Sequence, residues 1–428
     1  MKGIRLLTIL LIMLLPVSLS AQERKNDPAK DEDQQEELEQ RIEELEKQIA
    51  ELMKKIEEAE QEDEMKKLLE EADRLSKEHK EESQPPEDRK FYSGLRQHSA
   101  LNPNISVGGN FYYAQGSSDS DYNTEPSLTD YGTGRFVLKE VELAFESVLD
   151  PYSRGKAYIG VSEEGADVEE GYFELLNLPL NINLKLGKFK TQFGEINRYH
   201  CHALPQLDRP RVMLNFFGEG GLNGVGAGMN ILLPSFIAHV NELDLQLISG
   251  GSGLSFTDEG KTDMIGVARF KNFWDLSRST YLELGLSGAL GHNDPEQEQL
   301  TTIGGVDLRI RWTPPERAKY REFLWWTEAL VSRRDTETGY VDSWGIFSIV
   351  QNRFGARLVG GIRLDYSRLP QDNSSEEYGG TVNLDFWQSE FVFFRLQYSY
   401  IKRNFDENDN RVIVQSVWAM GPHKHEAY

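Results

Sequence analysis

The feature that most constrains the fold is a regular alternation of apolar and polar residues from about residue 100 onward. The stretch ELDLQL places Leu243, Leu245 and Leu247 on one strand face and three polar residues on the other. YLELGLSG, VDLRIRW, GIRLDY, VNLDFW and FRLQYSY repeat the pattern, with charges on the polar face. A soluble sandwich rarely carries charges inward along so many strands. The alternation is typical of a barrel with lipid outside and a polar lumen inside.

The connections predict the size of the barrel. Short turns such as DPYS, LPSF, TPPER and QNRFG alternate with longer polar stretches such as GSGLSFTDEGKTD, RRDTETGYVDS and NFDENDN. About sixteen strands of roughly eleven residues fit this segment. The predicted fold is an all-β transmembrane antiparallel barrel over residues 100–428, preceded by an α-helical coiled coil. The chain is too short for a plug domain together with 22 strands.

The N-terminal residues predict export. Residues 1–21 combine a basic start, a short apolar core and small residues near Ala21, as in a secretory signal peptide. No run of 18 apolar residues follows this segment, so the sequence predicts no membrane-spanning helix. The net charge of -23 argues against nucleic-acid binding. Cys201, the single cysteine, excludes an internal disulfide.

Residues 30–82 predict a coiled coil outside the barrel. They are rich in Glu and Lys, and apolar residues recur at spacings of three and four at Ile42, Leu45, Ile49, Leu52 and Ile56. Ile at a with Leu at d favours a parallel dimer in isolation. A lone solvated helix or a disordered acidic run are the alternatives. Residues 83–99 form the predicted linker, with Pro85 and Pro86 ending the helix.

The longest connection in the barrel follows the predicted fifth strand, INLKLGKF, and extends over residues 191–221. It is the third connection on its side of the barrel. The next strand places Gly224, Gly226 and Gly228 on one face, which leaves space for an inward fold. A polar segment lies at membrane depth only where protein buries it or water surrounds it. We therefore expect this connection to fold into the lumen and set its constriction.

Several motifs carry a family resemblance. They are Asp150-Pro151-Tyr152 after a strand, a Glu-Glu pair before an aromatic strand, Gly187-Lys188-Phe189, Phe193-Gly194 and Asn197, within residues 134–234. Together they resemble the phosphate-selective porin O/P-like outer-membrane barrels. Tyr428 also resembles the aromatic ending of such barrels. The resemblance implies a diffusion barrel in the outer membrane of a Gram-negative-type bacterium. The even strand number separately predicts that both ends of the barrel, and with them the coiled coil, lie in the periplasm. The resemblance also implies a homo-oligomer, which shifts our expectation from dimer to trimer.

Basic residues are the candidate pore-lining groups. Strand parity and loop position select Lys185, Arg198, Arg209, Arg211, Arg309, Arg311, Arg357 and Arg363. Lys188 and Lys190 face lipid unless a bulge turns them inward. Lysine and arginine rings favour anions, so small solutes or anions, phosphate among them, are the expected cargo. Alternatively, these charges only hydrate the lumen and form ion pairs across it, because Asp307 and Asp365 occupy the same inward-facing strand positions as the basic residues.

The stretch RYHCHALP raises a metal hypothesis. His200 and His202 flank Cys201, and imidazole and thiolate are zinc ligands. The simpler interpretation is that the two histidines hydrogen-bond the inserted connection to the barrel wall. No cofactor is expected.

The sequence therefore favours a porin for passive diffusion of small solutes. A non-conducting structural tether is the first alternative. A metal-binding barrel or an outer-membrane hydrolase are weaker ones, because His239 and His292 have no evident catalytic partner in the sequence. An enzyme is not expected.

Overall fold

The computed structural model describes residues 103–117, 134–250, 254–257, 259, 264–296 and 298–421. The predicted signal peptide, coiled coil and linker lie outside the described residues. Within the described part, no helix is both long enough and apolar enough to cross a membrane.

Sixteen antiparallel strands form one closed barrel, in which each strand pairs with its neighbours in the chain and β1 pairs with β16. The barrel part of the predicted fold is therefore confirmed. The strands are β1 Asn104–Gly116, β2 Arg135–Asp150, β3 Ser153–Ser162, β4 Gly165–Leu178, β5 Ile182–Lys190, β6 Asn223–Leu233, β7 Val240–Ser249, β8 Met264–Ser277, β9 Thr280–His292, β10 Leu300–Trp312, β11 Glu322–Thr336, β12 Gly339–Arg353, β13 Leu358–Arg368, β14 Glu376–Trp387, β15 Val392–Arg403 and β16 Asp409–Met420.

The two faces of the wall follow the predicted alternation. On β7, Leu245 and Leu247 are exposed on the outside, whereas Asp244 and Gln246 are buried on the inside. On β15 the exposed residues are Phe394, Leu396, Tyr398, Tyr400 and Lys402, and the residues between them are buried. An apolar exterior around a polar interior reverses the arrangement of a soluble protein and matches a lipid-facing wall.

The connections differ from the predicted pattern at one end of the barrel. We call the end where β1 begins and β16 stops the short-turn end, and the opposite end the loop end. RRDTETGYVDS was predicted as a long connection at the loop end. Instead β11 and β12 stay paired as far as Thr336 and Gly339, so only two residues join them. Because the two strands stay paired through these polar residues, the polarity of the stretch did not identify a loop there.

Residues 191–222, the lumen connection, join β5 to β6 and fold into the barrel. They contain two short 3-10 turns, Ile196–Arg198 and Cys201–Ala203, and one helix, α1, Arg211–Phe217, which packs against β12 and β13. Every residue of α1 is buried. The main apolar core lies inside the barrel, where Phe193, Ile196, Met213, Phe216 and Phe217 meet inward residues of the wall.

Asn197 ties the two ends of the lumen connection together. Its side-chain amide donates to the carbonyls of Thr191 and Leu222 at 2.9 and 2.8 Å, and its oxygen accepts from the Leu222 amide at 2.8 Å. Gly221 adopts φ +68°, and a Cβ there would lie 2.4 Å from the Asn197 oxygen. A glycine is therefore required at the neck of the connection.

Candidate functional site

Buried charge pairs anchor the lumen connection to β13 and β14. We call β13–β15 the far wall. Arg363 of β13 lies 2.7 Å from a carboxylate oxygen of Asp208 and 2.8 Å from Asp365. Arg211 of α1 lies 2.8 Å from Glu377 of β14, and its amide donates to Asp365 at 3.0 Å. Burial raises the pKa of Asp208, but Arg363 outweighs it, so the pKa lies below its usual range. These groups hold the connection in place.

Arg209 serves a different structural purpose. Its guanidinium donates to the backbone carbonyls of Glu219, Ile196 and Tyr199 at 2.8, 3.2 and 2.8 Å. Only 2% of the residue is exposed. Arg209 therefore closes the lumen connection on itself.

These positions correct part of the sequence prediction. Arg209, Arg211 and Arg363 were expected to line a pore, but all three are buried and make the structural contacts described above. Arg357 was expected on an inward strand position. It lies exposed in the turn between β12 and β13, because β12 ends at Arg353 and β13 begins at Leu358.

Glu195 is the centre of a second charged cluster. Its carboxylate lies 3.1 Å from Arg198, 3.1 Å from Arg269 and 3.5 Å from Arg309. Burial raises the pKa of Glu195, but the three arginines together lower it to about 2. Sequence reasoning missed Arg269, although it shares the inward face of β8 with Lys271 and strand parity would have found it.

The remaining predicted basic residues lie on the wall of the short-turn half. Lys185 lies 3.4 Å from Glu174 and 4.3 Å from the centre of the Tyr172 ring. Arg311 lies 2.8 Å from Glu322. Each is therefore paired with a carboxylate, as in the alternative that the sequence left open, while remaining partly exposed.

Lys188 and Lys190 were predicted to face lipid unless a bulge intervened. Gly187, just before them, has φ +137°. Lys190 is buried, and its ammonium lies 3.9 Å from Glu169 and 3.4 Å from the carbonyl of Gly220. It is therefore turned toward the lumen connection. Lys188 lies 3.3 Å from the exposed carboxylate of Asp167.

His200 joins the lumen connection to β2 and β4. We call β2–β4 the near wall. Its Nδ1 lies 2.9 Å from both Glu142 and Glu169, and its Nε2 lies 2.9 Å from Glu170. Burial lowers the pKa of His200, but the hydrogen bonds to the three carboxylates raise it well above its usual range. An imidazolium that donates from both nitrogens fits this geometry. The contacts match the hydrogen-bonding interpretation of His200.

A β-bulge makes this arrangement possible. Tyr158 and Ile159 are consecutive on β3, and they pair with Glu170 and Val168 of β4. Glu169 is therefore an extra residue on β4. A bulge re-aims side chains at its position. As a result, consecutive Glu169 and Glu170 both reach His200, which strict alternation would prevent.

Two cavities lie beside the lumen connection. The short-turn cavity, of about 220 Å³, is bounded by the short-turn half of β3–β8 and by Arg198. The loop-end cavity, of about 610 Å³, is bounded by the loop end of β2–β6 and by Cys201, Arg209 and Glu219. Lys190 lines both. Both cavities therefore lie along one side of the wall.

Comparison with known proteins supports the fold. No family model matches the chain. An uncharacterized protein of Aquifex aeolicus (strain VF5) is 27% identical over 331 residues, which make up 67% of this chain and 69% of that protein. The high-pH structure of Pseudomonas putida OprB covers 77% of this chain and 96% of its own, with 11% identity and a TM-score of 0.53.

The trimer form of in-vitro folded OmpT, an outer membrane protein of Vibrio cholerae, has a TM-score of 0.50 and 8% identity. It covers 74% of this chain and all of its own. At these identities the likeness establishes a shared barrel fold. The resemblance to the phosphate-selective porin O/P-like family stays a prediction.

We predict that Arg363→Met destabilises the barrel, because it leaves Asp208 and Asp365 buried without their arginine. Breaking a buried pair in this way costs about 3–5 kcal/mol. Arg333→Met is the matched control, since its 2.8 Å pair with Asp342 is exposed and such pairs contribute about 0–1 kcal/mol. Urea titration of both variants in detergent measures the difference. Equal stability of the two variants would contradict the anchoring role.

Proposed function

We propose that this chain is an outer-membrane channel for passive diffusion of small hydrophilic solutes, with residues 191–222 as its constriction. The observation that carries the proposal is the pair of polar cavities beside the lumen connection, one toward each end of the barrel, which share Lys190 as a lining residue. The closed barrel with an apolar exterior supports a membrane position. Solutes would pass between the connection and the near wall.

The short-turn cavity supports a preference for anions. Its lining contains six basic residues, Arg154, Lys156, Lys185, Lys190, Arg198 and Lys271, and four acidic ones, Glu170, Glu174, Glu242 and Asp244. A basic excess at a narrow passage lowers the barrier for anions and raises it for cations. Phosphate is one such anion, and the sequence resemblance adds weight to it. Of the predicted pore-lining residues, Lys185 and Arg198 line this cavity, and Arg209 borders the loop-end cavity.

We predict that Lys185→Glu with Lys271→Glu shifts the channel toward cations. The double change turns six basic and four acidic lining residues into four and six. Planar-bilayer recording in a potassium chloride gradient reports the shift as a change of sign or size in the reversal potential.

The matched control is Lys319→Glu with Arg321→Glu, two exposed residues between β10 and β11 that line neither cavity. It changes the net charge equally and should leave the reversal potential near the wild-type value. A reversal potential that responds equally to both double variants would place the solute route elsewhere.

A closed structural barrel is the second candidate. The observation in its favour is the apolar cluster that the lumen connection forms with the wall, including Phe193, Phe217 and Trp326. Such a cluster excludes water from the part of the lumen that it fills. Absence of any current from correctly folded wild-type protein would support this candidate over the channel.

The proposed cellular arrangement follows from the position of the chain ends. β1 begins and β16 stops at the short-turn end, because the strand number is even. Short turns face the periplasm in bacterial barrels. After removal of residues 1–21, the proposed coiled coil at residues 30–82 and the linker at residues 83–99 would therefore lie in the periplasm of a Gram-negative-type cell.

The proposed oligomer is a trimer. The family resemblance favours it, and the trimer form of OmpT has a barrel of similar fold.

Replacing Ile42, Ile49 and Ile56 by Lys should dissociate the isolated segment 30–82, because charges then occupy the seam. Sedimentation equilibrium measures this. A wild-type segment that is already monomeric would contradict the coiled coil.

A further inference from the structure

A second group of potential ligands lies beside His200 and shares Glu142 with its hydrogen-bond partners. It comprises Glu140 and Glu142 of β2 and His202 of the lumen connection, all buried. One side-chain ligand atom from each lies within 4.8 Å of the others. His202 Nδ1 lies 3.7 Å from Glu140 Oε1 and 3.6 Å from Glu142 Oε2.

These distances distinguish the group from the His200 cluster. Nitrogen–oxygen hydrogen bonds span about 2.7–3.2 Å, which fits the 2.9 Å contacts of His200. Zinc binds nitrogen and oxygen at about 2.0–2.2 Å, so tetrahedral ligand atoms lie about 3.4 Å apart. The spacing around His202 is therefore close to that of ligands sharing one ion.

The charges of the group also favour a cation. The Glu140 and Glu142 carboxylates are held near each other in a buried place, where like charges repel more strongly than in water. A divalent ion between them turns this repulsion into attraction. Glu142 Oε2 also contacts His200, and a carboxylate oxygen has a lone pair left for a metal.

The surroundings provide support and access. The Cys201 thiol donates to Glu140, and a hydrogen bond of this kind orients a ligating carboxylate. Lys139 is an extra residue in the pairing of β2 with β1, so a bulge directly precedes Glu140. Glu140 and Cys201 line the loop-end cavity, which gives an ion a polar route to the group.

We propose that Glu140, Glu142 and His202 bind one divalent metal ion, which fastens the lumen connection to β2. One imidazole and two carboxylates suit zinc better than magnesium or calcium, whose sites are built from oxygen ligands. The site would complete the near-wall attachment of the connection, opposite the Arg363 anchor. It is independent of whether the barrel conducts.

The test uses the full chain, purified in detergent without a polyhistidine tag, stripped with a chelator and titrated with zinc chloride by calorimetry. Wild type should bind one zinc ion per chain. His202→Ala and the milder His202→Gln should weaken binding, each by at least about tenfold, because even the loss of an outer-shell partner of a metal ligand costs about 10–100-fold. His239→Ala is the matched control. His239 accepts a hydrogen bond from the Asp275 amide, far from the group, so this variant should bind zinc like wild type.

Heat-modifiable migration on gels confirms that each variant is folded before titration. Zinc-edge X-ray absorption of the loaded wild type should show nitrogen and oxygen ligands without sulfur. The proposal is overturned if wild type binds no stoichiometric zinc, if both His202 variants bind like wild type, or if sulfur appears in the coordination shell.

Discussion

The structure depends on the burial of a polar connection inside a barrel whose interior already carries charges. The Asp208–Arg363 and Arg211–Glu377 contacts, at 2.7 and 2.8 Å, reconcile the two. An unpaired charge at this depth would be costly, whereas a paired and hydrogen-bonded one is tolerated. Each anchor joins residues far apart in the chain, so the position of residues 191–222 and the closure of the barrel support each other.

Anchoring on β13 and β14 has consequences for the opposite wall. α1 packs against β12 and β13, and the apolar cluster around it meets wall residues from β4 to β12. The two polar cavities lie along β2–β8. His200, Lys190 and the glutamates of β2 and β4 lie on that side. The proposed solute route and the proposed metal site therefore share one wall. An ion at Glu140, Glu142 and His202 would hold the edge of the passage.

Local rules predicted much of this arrangement. Alternation identified the faces of the strands, the fifth strand and the long connection after it, because each depends on neighbouring residues only. Pairing depends on residues far apart: Asp208 and Arg363 are 155 positions apart, and no local pattern joins them. For this reason Arg211 and Arg363 appeared as free charges. The bulge at Glu169, which brings Glu169 and Glu170 together at His200, also has no evident signal in the sequence.

The most direct test of the account is a disulfide between the lumen connection and the far wall. The Leu207 amide lies 2.9 Å from the side-chain oxygen of Gln397 on β15. In a Cys201→Ser background, Leu207→Cys with Gln397→Cys should oxidise to an intramolecular disulfide in the folded barrel, visible as a reductant-sensitive gel shift. No cross-link, together with labelling of position 207 by a bulky water-soluble maleimide, would show that the connection lies outside the lumen.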